Sequence, residues 1–243
     1  MPDAFAEGRI TQLRSEAKLA LGPLEARHLR ARLAAELGSP AVTRIVSVYF
    51  DGPGWPLAAR AAAAPHDALK VRFKEYFPDR GGCGSSRVVL EVKRETHGVT
   101  RKDRFWVPRD GLLAPHDRLE AALRELAGPA LREAAGELPL VPAVAVSYER
   151  EVYQGQESWR VTLDTVVEFF RMEARLALSP VPLWRERMGE PVAREELTIV
   201  EVKHLDSPLP SWLAARCGER GYSKFAQAMR RVHGVGEPRA AVG

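Results

Sequence analysis

Charged side chains recur at every second position in six short segments, and this spacing is the feature of the sequence that could do chemistry. In DALKVRFKEY, Lys70, Arg72 and Lys74 alternate with Leu69, Val71 and Phe73. In RSEAKLAL, Arg14, Glu16 and Lys18 oppose Ala17, Leu19 and Leu21; in RVVLEVKRE, Glu91 and Lys93 oppose Val88, Leu90 and Val92. Lys102 and Arg104 share a parity in TRKDRFWV, as do Arg160, Thr162 and Asp164 in SWRVTLD, and Glu201 and Lys203 in TIVEVKH. Alternate residues of a strand point to opposite faces, so each segment predicts one apolar face and one charged face.

The charged parity is mainly Lys and Arg, and that pair suits phosphate: Arg offers a planar fork for two oxygens, Lys a compact point charge. Cations crowded on one surface repel and need counter-anions. The carboxylates among them, Glu16, Glu91 and Glu201, are hard oxygen ligands without His or Cys beside them, which suits Mg²⁺ or Mn²⁺ bridging to phosphate oxygens. A second reading competes: half-exposed strands with solvated charged faces, Glu201 being the ion-pair partner of a neighbouring Lys. Asp164 reads as a hairpin cap or as chemistry. The GGCGSS segment lacks the GxxxxGK[ST] pattern and reads as a hairpin loop. Beyond Trp106 the charged parity has no aromatic array for stacking bases, so nucleic acid is not an expected partner.

The elements that must position these residues follow from periodicity. Helices are expected over about 23–37, opened by Pro23 and stopped by Gly38, over 115–135 with Leu119, Leu123, Leu126 and Leu131, and near 208–216 and 223–232. Ser223 is the expected cap of the last. Strands are expected at 13–21, 42–50, 67–77, 86–95, 99–107, 142–153, 158–164, 166–172 and 196–204. So many antiparallel strands tend to close, which removes their edges. The expected fold is therefore α+β: a closed antiparallel barrel with helices packed outside on the apolar face and a cationic lumen. One domain over 1–243, with a core of about 13–230 and loose ends, accommodates it. A net charge of only +4, from 36 basic and 32 acidic residues, leaves placement rather than excess to decide partners. No apolar run long enough for a membrane helix and no secretory signal is present, and Cys83 and Cys217 form no CxxC pair, so a cytoplasmic protein with reduced thiols is expected. The six histidines lack metal-ligand spacing.

The succession RSEAK, VYFD, KVRFKEY, EVKR, RKDR, YEREVY, WRVTLD, IVEVK and GYSKF, from about residue 13 to 230, resembles the VTC domain of the triphosphate tunnel metalloenzyme superfamily. The resemblance implies an eight-stranded tunnel, the triphosphate tunnel, holding ATP, tripolyphosphate or polyphosphate. It implies transfer of the γ-phosphate of ATP to a polyphosphate chain, with hydrolysis or binding without turnover as alternatives. Carried over, catalytic contacts with phosphate fall to Lys70, Arg72, Lys93, Lys102, Arg150 and Arg160, and further phosphate binding to Lys18, Lys74, Arg104, Lys203 and Lys224. The metal, Mn²⁺ or Mg²⁺, falls to Glu201 with Glu16 and Glu91. Two departures stand out. Lys70 occupies a position where many relatives carry Arg, and no membrane segment or accessory domain like those of the membrane-complex members is expected. Arg14-Ser15-Glu16-Ala17-Lys18, lacking the first Glu of the E-x-E-x-K start of the related CYTH branch, favours the VTC branch.

Overall fold

The computed structural model describes residues 15–65, 67–77, 87–96, 99–108, 138–154, 159–204, 209–216 and 221–236. In chain order these form β1 (Ser15–Leu21), α1 (Pro23–Leu37), β2 (Ala41–Asp51), α2 (Pro56–Ala63), β3 (Leu69–Phe77), β4 (Arg87–Thr96) and β5 (Val99–Pro108). They continue with β6 (Val141–Tyr153), β7 (Trp159–Arg171), α3 (Ala174–Ala177), a 3₁₀ turn (Arg185–Met188), β8 (Ala193–Glu195), β9 (Thr198–His204), α4 (Ser211–Ala214) and α5 (Lys224–His233). The helix expected at 115–135, the GGCGSS hairpin tip, Arg14 and both cysteines lie outside the described residues.

All strand pairs are antiparallel, and the sheet runs β1-β9-β7-β6-β2-β3-β4-β5, with β8 paired to β7 off that path. The expected closed eight-stranded barrel is corrected here: the sheet has nine strands and is open, with β1 and β5 as its edges. The edges carry the reason. Both edge strands are charged, β1 with Glu16 and Lys18 and β5 with Lys102 and Arg104, and charged edge strands deter pairing. The sheet nevertheless curls, bringing Lys18 on one edge strand within electrostatic reach of Glu95 on β4, next to the other edge.

Register places the charged parities on one concave face. Lys70, Arg72 and Lys74 of β3 pair with Lys93, Glu91 and Val89 of β4, which pair in turn with Lys102, Arg104 and Trp106 of β5. At the other side Glu16 and Lys18 pair with Lys203 and Glu201, and these with Arg160 and Thr162. On the convex face Leu19, Leu21, Val161, Leu163, Val200 and Val202 bury against Ala26, Leu29 and Leu33 of α1. Each fully buried Leu of that helix contributes about 1.5–3 kcal/mol. α1 keeps its expected bounds and ends at Gly38, whose φ of 79° a side chain would resist.

β7 runs unbroken through the point where two strands were expected, so Asp164 does not end a strand. The break in the pattern is a bulge: Glu149 pairs with Thr165, but Ser147 pairs with Glu168, leaving one extra residue in β7. Val166 sits there at φ 49°, an unfavourable conformation for a β-branched residue. The bulge flips parity. Arg160, Thr162 and Asp164 face the concave side before it, and Val167 and Phe169 after it. α5 covers this second, apolar half, with Phe225, Ala228, Met229 and Val232 buried in the same cluster as Val167 and Phe169. Ser223 accepts from the Ala226 N–H at 3.3 Å, as expected of a cap, and so fixes where α5 begins.

Candidate functional site

The charged half of the concave face gathers side chains from β1, β9, β7, β6, β3, β4 and β5, and from the first residue of α5. Eleven cations meet there: Lys18, Lys70, Arg72, Lys74, Lys93, Lys102, Arg104, Arg150, Arg160, Lys203 and Lys224. Five carboxylates stand among them: Glu16, Glu91, Glu95, Asp164 and Glu201. Every residue expected at the site is thus on this face.

Glu91, fully buried, anchors one cluster. Arg72 pairs with it, Arg104 Nε donates to it at 3.1 Å, and Lys74 Nζ lies 3.6 Å away. Burial alone would raise its pKa, but Arg72, Lys74, Lys102 and Arg104 hold it well below the usual range. Arg72 also donates to the Tyr49 hydroxyl at 2.9 Å, so its guanidinium is oriented from two sides. Beside it Lys93 lies 2.5 Å and Lys70 3.7 Å from Glu95.

Asp164 anchors the second cluster. It accepts from Arg150 Nε at 2.6 Å and Nη2 at 2.7 Å, a bidentate pair, and from Lys224 Nζ at 2.5 Å. Burial pushes its carboxyl up, and Lys224 with Arg150 more than reverses this. Tyr148 lies beneath, with Lys224 Nζ 4.7 Å and the Arg150 guanidinium 5.4 Å from its ring centroid. α5 is therefore tied to the sheet by its charged first residue and by its apolar face.

The third cluster joins β1 and β9. Glu16 lies 2.5 Å from Lys18 and 3.6 Å from Lys203; Glu201 pairs with Lys203 and lies 3.7 Å from Arg150. Desolvation raises the Glu201 pKa, but Lys203, Arg150 and Lys18 drive it well below the usual range.

The cations also act on one another. Burial lowers Lys70 to about 8, helped by Lys93, Lys18 and Arg72. Burial, then Lys203, Arg104 and Arg72, lower Lys102 to about 8 against the pull of Glu91. Lys74 is pushed well down by burial and by Arg72. Among the described residues this face carries eleven cations and five carboxylates, an excess of positive charge that suits a polyanion.

Glu16 and Glu201 are near enough to repel. Opposite Glu201 on β7, the Thr162 hydroxyl is buried without a hydrogen-bond partner. Glu16, Glu201 and Thr162 are hard oxygen donors of the kind that would hold a divalent ion such as Mn²⁺ or Mg²⁺. Glu91, expected with the two glutamates, belongs instead to the cation cluster of β3 and β5. Among the described residues no three His, Cys, Asp or Glu side chains form a complete metal cage.

Sequence reasoning missed Glu95 and Tyr49 and gave Asp164 no firm role. Glu95 shares the parity of Glu91 and Lys93, so that signal was present. Tyr49 lies in a strand without the alternating Lys and Arg of the others, buried on both faces from Ile45 on, which gave none.

The VTC domain model matches residues 9–233, nearly the whole chain. No curated protein matches. Among solved structures, a protein of Hippeastrum assigned as an adenylyl cyclase, with a dominant triphosphatase activity, is 17% identical with a TM-score of 0.48; 88% of this chain and 93% of that chain are covered. An assigned adenylate cyclase of Bacillus halodurans is 12% identical, TM-score 0.45, covering 81% and 83%. The Mediator head module of Schizosaccharomyces pombe gives 10%, 0.47, 84% and 88%. These are distant likenesses of fold and carry no function. No helix among the described residues is long and apolar enough to cross a membrane.

Proposed function

We propose that this chain, which belongs to the VTC domain family, is a phosphotransferase that moves the γ-phosphoryl group of ATP to the end of a polyphosphate chain lying on its concave face. The terminal phosphate oxygen of the acceptor attacks the γ-phosphorus, the bond to the β-phosphate oxygen breaks, and ADP leaves while the chain grows by one unit. Such a transfer needs position and charge neutralisation more than covalent help from protein.

The observation that carries the reading is the convergence of eleven cations with five carboxylates on one concave face of the described residues, where Lys70 and Lys102 lie half-buried among other cations. Arg72 and Arg150 are held by Tyr49, Glu91 and Asp164 before any ligand arrives, so little reorganisation is needed when charge spreads over the transferred group. Lys93, Arg104, Arg160 and Lys203 extend the surface along which a chain could lie. Glu16 and Glu201 would hold Mn²⁺ or Mg²⁺, which when bound supplies charge neutralisation to the phosphate oxygens. Incubation with ATP and Mn²⁺, followed by ³¹P NMR, tests this. Internal phosphate resonances of a growing chain are expected; release of free phosphate alone, or no turnover, would refute transfer.

A further inference from the structure

Among the described residues, one aromatic side chain of the concave face is half open to solvent. Trp106 continues the inward parity of β5 after Lys102 and Arg104, and its cross-strand neighbour is Val89. It is 49% exposed, whereas Tyr49 and Tyr148 on the same face are each 2% exposed and enclosed by Phe225, Arg150 and Lys224. Arg104 beside it is 41% exposed, so this edge is the accessible side of the site.

Same-face neighbours in a strand are about 7 Å apart, so Lys102, Arg104 and Trp106 form a line of about 14 Å. Two cations followed by an indole match the order of groups in a nucleotide, phosphates followed by a flat base. An inorganic phosphate chain has nothing to offer an indole, whereas a nucleotide base offers it a flat π-face.

We propose that Trp106 is the stacking platform for the base of a nucleoside triphosphate whose phosphates lie along Lys102 and Arg104, an assignment that rests on the phosphate-binding reading above. Stacking tolerates any base, because each has a π-face. The residue therefore selects nucleotides over inorganic polyphosphate without selecting adenine over guanine.

Calorimetric titration of the full chain with MgATP, MgGTP and magnesium tripolyphosphate tests it in the parent, Trp106→Ala and Trp106→Phe. The alanine variant should bind both nucleotides about five- to a hundred-and-fiftyfold more weakly, the range that base–aromatic stacking supplies. Its tripolyphosphate affinity should stay unchanged, which also reports that it is folded, and phenylalanine should restore most of the nucleotide affinity. Unchanged nucleotide binding in Trp106→Ala, or an equal loss for tripolyphosphate, would overturn the assignment. A parent that binds neither nucleotide nor tripolyphosphate would overturn the phosphate reading itself, a result distinct from these two.

Discussion

Raising the pH should weaken polyphosphate binding, and the loss can be worked from two side chains. Lys70 and Lys102 titrate at about 8 in the free protein. Burial first and the neighbouring cations second depress them; a bound polyanion attracts the protonated form and raises both toward the ordinary lysine value of about 10.4. Between about pH 7 and pH 9 the free lysines lose their protons while the bound ones keep them, so each must be reprotonated on binding, at a cost of about tenfold in affinity. The pair gives about ten- to a hundredfold, depending on how strongly the two interact. Near pH 8 each free lysine is half protonated, so binding should take up about one proton in total. The ligand gains negative charge over the same range, which acts in the opposite direction, so a net weakening points to the protein. Calorimetry of tripolyphosphate in two buffers of different ionisation enthalpy gives the uptake directly. Lys70→Arg keeps the charge without titrating and should remove about half of it. Affinity that rises with pH, or zero uptake near pH 8, would refute the reasoning.

Asp164→Asn keeps the shape but leaves the buried Arg150 and Lys224 without their carboxylate, a loss of about 3–5 kcal/mol readable as a lowered melting temperature. Tripolyphosphate should recover part of that loss. Glu201→Gln should abolish metal-dependent turnover in a phosphate-release or NMR assay, while tripolyphosphate binding is kept or tightened as Lys203 and Arg150 lose a competing partner. Val166→Gly relieves a positive φ at a residue 55% exposed and should stabilise by about 1 kcal/mol, raising the melting temperature by about 2–4 °C. An unchanged or lowered midpoint would mean the bulge is not strained.

Most of the site was legible because strand parity is a strict code. Lys70, Arg72 and Lys74 had to share a face, and so did Lys102 and Arg104, whatever the tertiary structure. What parity cannot give is what joins strands. Closure of the sheet was misjudged because the general tendency of large sheets to close was given more weight than the charges on their edges, Lys18 on one strand and Lys102 and Arg104 on the other. The bulge at Val166 was hidden, since Thr165 read as a break between two strands, with Val166 opening the second. Asp164 was therefore placed at an end, when it sits beneath Arg150 and Lys224 as the anchor of α5. α2 escaped because PLAARAAA has too few large apolar residues to mark a face.

The central claim is that the concave face is a polyanion site rather than a solvated surface, and the melting temperature with and without tripolyphosphate tests it most directly. A ligand that binds only the folded form at a hundredfold excess over Kd adds about 2.7 kcal/mol. For a chain of this size that is about 5–10 °C. Sodium chloride at matched ionic strength should give far less, and Arg72→Ala should blunt the tripolyphosphate shift. Equal shifts from chloride and tripolyphosphate would mean an ordinary screened surface, and would contradict the account.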